Sequence, residues 1–184
     1  RCKFIYSKWH RYENGVWRPD EKMTSHFWDV LIANKKNGIK PNAGKAASVE
    51  KYCQLRALVD EKEVDQGNGY INLKNGLFDL ETHTLQPHRP DLYLTSQLPF
   101  EYDEEATCFA WTDFIRQVLV WPDTGAFDPD LANLVQEAFY YSLTGDTSFR
   151  VSFWLVGPSG TGKSTLLNVL LALAGNSHVT IDLD

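Results

Sequence analysis

Residues 151–175 read VSFWLVGPSGTGKSTLLNVLLALAG. The middle of this stretch meets the pattern G-x-x-x-x-G-K-[ST] through Gly157, Gly162, Lys163 and Ser164. Each residue type has a physical reason. Glycine lets the backbone take conformations closed to residues with a Cβ. Consecutive N–H groups of Gly157, Pro158, Ser159, Gly160, Thr161 and Gly162 (proline excepted, which has none) can then turn inward and wrap phosphates. Lys163 offers a compact ammonium to β- and γ-phosphates, and the Ser164 hydroxyl is a hard oxygen ligand suited to Mg²⁺. Thr165 completes the run, and the helix that follows turns its N-terminal dipole toward the same anion.

The flanks support this reading. Residues 151–156 form a short apolar run with β-branched and aromatic members, which predicts a buried strand. Leu166, Leu167, Val169, Leu170, Leu171 and Leu173 predict a buried helix that Gly175 stops at a C′ position. Strand, glycine-rich loop and helix is the order a phosphate cradle needs. The plain alternative is a Gly/Ser turn between a strand and a helix.

Working back toward the N-terminus, Asn14-Gly15 predicts a tight hairpin between WHRYE and VWRP. TSHFWDVLIANKKNG predicts a helix capped by Thr24 or Ser25 and ended near Gly38. A second helix is expected over residues 45–61, with Tyr52, Leu55 and Val59 on one face. Asn75-Gly76 marks another hairpin, and prolines at 87, 90 and 99 forbid a long helix nearby. Cys108, Trp111, Ile115 and Val118 are spaced as on an amphipathic helix. Asp128-Pro129 then opens a further helix whose apolar face is Leu131, Leu134, Val135, Ala138 and Phe139.

The chain has 184 residues, 43% of them hydrophobic, so it can bury a core rather than stay disordered. No apolar run reaches membrane-spanning length. Three widely spaced cysteines, Cys2, Cys53 and Cys108, suit reduced thiols in a cytosolic setting. The chain opens on Arg1, without a signal peptide, and runs only briefly past Ser164, so it reads as a piece of a longer protein. Its net charge of −6 divides unevenly: residues 1–56 carry +7 and residues 57–184 carry −13. Lys3, Lys8, Arg11, Arg18, Lys35 and Lys36 are therefore the candidates for contacting single-stranded nucleic acid, with Trp9 or Trp17 as stacking platforms. The competing reading places the aromatics in the core and leaves a solvated basic surface.

NGLFDL, PHRPDLYLTSQLPFEYD, QEAFYYSLTGDTS and GPSGTGKST follow one another in a single order that resembles the superfamily 3 helicase part of phage and plasmid primase-helicases, relatives of the poxvirus primase-helicase. The resemblance implies an α+β connecting domain of short hairpins and helices over residues 1–148. It implies that residues 149–184 are the first strand, P-loop and helix of an α/β, AAA+-like ATPase. ATP with Mg²⁺ would lie between subunits of a homo-hexameric ring that draws single-stranded DNA through its pore, 3′ to 5′. A primase domain would precede the chain, and the setting would be the cytoplasm of a bacterial host or a viral replication site. Residues 157–162 would wrap the phosphates, Lys163 would be the catalytic contact to them, and Ser164 would hold the metal. Thr161 stands where relatives often have Asn.

Other groupings are weaker. Asp182 and Asp184 arrive too soon after the cradle to be its second acidic motif. His83 and His88 could reach zinc only with closer partners, and exposed loop histidines are the simpler reading. EYDEEA and DPD look like acidic residues at helix N-termini. Asp146, in LTGDTS, is expected to hold a turn. Two other functions fit parts of the pattern: a different P-loop NTPase such as a small-molecule kinase, or a non-enzymatic docking or oligomerisation module.

Overall fold

The computed structural model describes residues 1–38, 40–67, 69–146, 148–179 and 181, with the backbone alone for Lys36. They form two three-stranded antiparallel sheets and five α-helices, an α+β chain. Two compact units are interleaved in sequence: Arg1–Gly67 with His88–Ser96, and Asn68–Pro87 with Gln97–Asp184. This division follows packing, and so cuts the chain differently from the motif-based boundary at 148/149.

In the first unit β1 (Cys2–Ile5), β2 (Lys8–Glu13) and β3 (Val16–Pro19) pair in chain order. Glu13 pairs with Val16, leaving Asn14 and Gly15 as a two-residue loop with φ of 48° and 84°. Both positive angles are what a type I′ hairpin requires. Gly15 is fixed a second way, because a Cβ there would lie 2.2 Å from the His88 ring. The β1–β2 turn, Tyr6-Ser7, also has two positive φ values, 48° and 60°, without a glycine to signal it.

The register puts Ile5, Tyr12 and Trp17 on one face and Phe4 and Trp9 on the other. Ile5 and Trp17 join Val59 and Val64 in the core, with Tyr12 and Tyr93 packed against it. The Trp17 indole donates to the Pro90 carbonyl at 2.9 Å, and its backbone N–H donates to the Leu94 carbonyl at 2.8 Å. These bonds tie His88–Ser96 to this unit. On the opposite face Trp9 meets Phe4 and Phe27, with ring centroids 5.3 and 5.5 Å apart.

Phe27 belongs to α1 (Met23–Ala33). Neither Thr24 nor Ser25 caps this helix; both lie inside its first turn, where Thr24 Oγ1 donates to Glu50 and Ser25 Oγ to the Lys22 carbonyl. A 3-10 turn, Asn34–Asn37, carries the chain on to Gly38 at φ 80°. The second helix, α2, spans Ala43–Ala57 rather than 45–61, with the Asn42 side chain accepting from the Lys45 N–H. It stops where Leu58 turns extended and forms a parallel bridge with Phe4, which carries Val59 into the core. The expected apolar face is thereby split: Val59 is buried, while Tyr52 and Leu55 are exposed.

In the second unit β4 (Tyr70–Leu73), β5 (Gly76–Asp79) and β6 (Thr84–Gln86) form the other sheet. The expected hairpin is present, shifted by one residue: the turn is Lys74-Asn75, and Gly76 opens the strand opposite Leu73. Asn75 is needed for its amide, which donates to the Tyr102 carbonyl at 2.8 Å and accepts from the Tyr102 N–H at 3.0 Å. Gly76 is needed for close approach, since a Cβ would meet the Gln86 carbonyl at 2.5 Å. Helix α3 (Phe109–Val118) half-buries Trp111, Phe114, Ile115 and Val118 and leaves the Cys108 cap exposed. The acidic run before it does not reach its N-terminus; Asp103 instead holds a turn by accepting from the Glu105 N–H. Asp128 does cap α4 (Pro129–Thr144), accepting from the N–H groups of Asp130 and Leu131. Gly145 ends α4 at φ 70°. On its expected apolar face Val135, Ala138 and Phe139 are half-buried, and Leu131 and Leu134 are exposed. Helix α5 spans Lys163–Ala174 and touches α4. Among the described residues no helix is long and apolar enough to cross a membrane.

Candidate phosphate-binding loop

Helix α5 begins directly behind the glycine-rich loop. Gly160 and Gly162 have φ of 82° and 83°, a left-handed conformation that L side chains rarely adopt. Gly162 is also the residue before the first helical turn. A Cβ there would lie 2.9 Å from Val118 and 3.1 Å from Phe114, so the glycine lets the loop settle against α3. The first helical bond runs from the Leu166 N–H to the Gly162 carbonyl at 3.0 Å. The N–H groups of Lys163, Ser164 and Thr165 therefore precede it and have no helical partner.

The loop closes on Lys163. Its ammonium donates to the carbonyls of Gly157 at 2.8 Å and Pro158 at 2.5 Å, and to Thr161 Oγ1 at 3.3 Å. Thr161 Oγ1 in turn donates to the Pro158 carbonyl at 2.9 Å. Thr161, the residue that departs from the resembled pattern, thus has a local task. Ser159 and Gly160 form the exposed tip, and Ser164 and Thr165 are exposed on the first turn of α5. The arrangement gathers one cation, three helix N–H groups and a free hydroxyl at one helix end. Anions bind favourably in such a place because the helix dipole and the N–H groups act together.

Residues 151–156 do not form the expected buried strand. They lack regular secondary structure, and Trp154 and Val156 are 80% and 88% exposed. A strand needs a neighbour for its backbone groups, and among the described residues no strand pairs with this segment. Phe149 and Phe153 instead lie against Tyr141 of α4, with centroids 5.7 and 6.2 Å away. For the same reason α5 is half-buried rather than buried, with Leu166 its one fully buried side chain among the described residues.

Asp146 takes the turn-holding role expected of it, accepting from the Ser148 N–H at 2.8 Å and Ser148 Oγ at 3.0 Å. A second carboxylate, in the NGLFDL stretch, does similar work, a role the stretch itself did not reveal. Asp79 accepts from the N–H groups of Glu81 and Thr82 and from the Gln86 amide. Backbone bonds from Thr82 and then Glu81 hold its pKa below the ordinary carboxylate value. The tryptophans offered as stacking platforms are unavailable: Trp9 and Trp17 are 7% and 2% exposed, with their indole N–H groups bonded to Glu50 and Pro90. His83 stacks on Phe78, and His88 packs against Gly15. Asp182 and Asp184 lie outside the described residues, as does the side chain of Lys36.

No curated protein matches the chain. A family model described as D5 N terminal like matches residues 1–120. The match runs from β1 through α3 and covers well over half of the chain. The chain therefore belongs to the D5 N-terminal-like family, the N-terminal region found in phage and viral primase-helicase proteins of DNA replication.

Proposed function

We propose that residues 149–184 open the superfamily 3 ATPase motor of a replicative DNA helicase, and that residues 1–148 connect this motor to a preceding primase. The observation that carries the reading is the left-handed pair Gly160 and Gly162, which sets Lys163 and Ser164 on the first turn of α5. It stands in a chain whose family occurs in primase-helicases. ATP would enter with its phosphates over residues 157–165. The incoming β- and γ-phosphates would draw the Lys163 ammonium off the Gly157 and Pro158 carbonyls, exchanging neutral acceptors for charged ones, which bind more strongly. The Ser164 hydroxyl would take one position on Mg²⁺. Hydrolysis further needs an acidic metal ligand, a residue to position water and a neighbour's arginine. It is therefore assigned to a homo-hexameric ring acting on single-stranded DNA.

DNA-stimulated ATP hydrolysis by the full-length protein tests the proposal. Lys163→Ala should abolish it, and wild-type turnover by that variant would refute the cradle. One observation favours a second reading, a docking or oligomerisation module. Phe149, Trp154 and Val156, close together in the chain, and Leu134 of α4 leave large apolar side chains exposed, and exposed apolar groups that adjoin one another mark interaction sites. If the full-length protein assembles normally but neither binds nor hydrolyses nucleotide, that reading replaces the first.

A further inference from the structure

The positive charge of residues 1–56 has a specific outlet in the first unit. We propose that the groove between β1 and the C-terminal half of α2 binds single-stranded nucleic acid, with Tyr52 stacking on a base and Arg56 pairing with the adjacent phosphate. The groove is a shallow, open depression of about 440 Å³. Trp9, Met23, Phe27, Tyr52 and Arg56 line it, together with the backbone side of Lys3, whose ammonium turns away and lies 5.5 Å from the Tyr93 ring centroid. Tyr52 and Arg56 are four residues apart on one helix, so their side chains are neighbours on one face.

Tyr52 is 63% exposed, so the core does not use its ring. No carboxylate lines the groove. Helix α2 carries Lys45, Lys51 and Arg56 against one acid, Glu50. That acid accepts from the Trp9 indole at 3.3 Å and Thr24 Oγ1 at 2.9 Å, which occupies it internally. Asp20, on the loop after β3, is likewise held by Arg11 at 2.7 Å. Lys51 and Arg56 form no ion pair among the described residues. A nucleotide supplies a flat base and a phosphate in one unit, matching an exposed aromatic ring beside an uncommitted guanidinium. An acidic peptide would answer only the guanidinium. The basic charge was legible in the sequence, but the aromatic partner is Tyr52 rather than Trp9 or Trp17.

This assignment adds to the proposed function a site made of residues other than those of the nucleotide loop, and neither depends on the other. Fluorescence anisotropy with a labelled oligothymidine of about 12 nucleotides, without nucleotide triphosphate, tests it. At low salt the Kd should be on the order of 10⁻⁴ to 10⁻⁶ M and should rise steeply with salt. Tyr52→Ala should weaken binding by about 5- to 100-fold. Arg56→Gln should weaken it and lower the salt slope by about 1. Lys62→Gln, the same charge change at an exposed lysine outside the groove, should leave it within about twofold of the wild type. Far-UV circular dichroism of each variant checks that the fold is retained. Wild-type binding by Tyr52→Ala, equal weakening by Lys62→Gln, or competition by polyglutamate as strong as by unlabelled oligothymidine would each overturn the assignment.

Discussion

Replacing Gly162 with alanine should destabilise the second unit more than the same change at Gly160, although the two residues share one backbone conformation. Their φ angles are 83° and 82°. A Cβ in this left-handed region costs about 1 to 2 kcal/mol at either position. At Gly160 nothing lies within 4 Å of the added carbon, so the cost ends there. At Gly162 the carbon would stand 2.9 Å from Val118 and 3.1 Å from Phe114, closer than side chains pack. Forcing α3 and the loop apart adds about 1 to 3 kcal/mol. The expected losses are therefore about 1 to 2 kcal/mol for Gly160→Ala and about 2 to 5 kcal/mol for Gly162→Ala. Urea unfolding followed by circular dichroism measures both, provided that the slope with denaturant is the same for each variant. Equal losses would refute the packing argument. No loss at either site would refute the left-handed conformation, and with it the placement of Lys163 at the head of α5.

Three further outcomes follow from the same geometry. The chain alone should show negligible ATP hydrolysis, because Ser164 is the only Mg²⁺ ligand assigned to it; robust turnover by pure protein would contradict this. Asn75→Ala removes two bonds to the Tyr102 backbone and should cost about 1 kcal/mol in urea unfolding, because both bonds are exposed and water can take their place. The carboxylate of Asp79 has a pKa lowered by folding, so its contribution is full above the unfolded carboxylate pKa of 3.8 and is lost as pH falls through the lower folded value. Asp79→Asn should therefore destabilise at neutral pH and flatten the loss of stability below about pH 4 in acid titrations; an unchanged acid limb would show that the shift lies elsewhere.

What the sequence made legible is what neighbouring residues decide among themselves. Asn14-Gly15 tolerates two positive φ angles, and Asp128 before Pro129 offers an oxygen to the next two free N–H groups, so both were readable without tertiary knowledge. Tyr6-Ser7 was not, because the register between β1 and β2 imposes its conformation on residues that do not prefer it. Asn75-Gly76 was readable as a turn and misplaced by one residue. The bonds that fix Asn75 come from Tyr102, and the contact that fixes Gly76 comes from Gln86, both distant in sequence. Charge marked residues 1–56 as basic but could not say which of their aromatics are buried. An indole with an internal acceptor is stable inside, and Trp9 and Trp17 each have one.

The phosphate loop divides along the same line. Its glycines and Lys163 obey local rules, and the left-handed turns and the helix start follow from them. Residues 151–156 obey a non-local one: β-branched and aromatic side chains favour a pleated, half-buried surface, but only a neighbouring strand supplies the surface and satisfies the backbone. With Trp154 and Val156 at 80% and 88% exposure, the segment leaves apolar area in water that burial would stabilise at about 25 cal/mol per Å². A partner that paired with it would gain this area and fix the loop from its N-terminal side, as α3 already fixes it at Gly162. The anchoring of Gly157, and with it the carbonyl that now holds Lys163, therefore depends on what covers residues 151–156. Under the proposed function, ring assembly and nucleotide affinity are coupled through that segment. A polar substitution such as Val156→Asp should weaken both together in the full-length protein, measured by sedimentation and by ATP titration. If assembly were lost while nucleotide affinity in the remaining monomer stayed at the value of the assembled wild type, the coupling argument would fail.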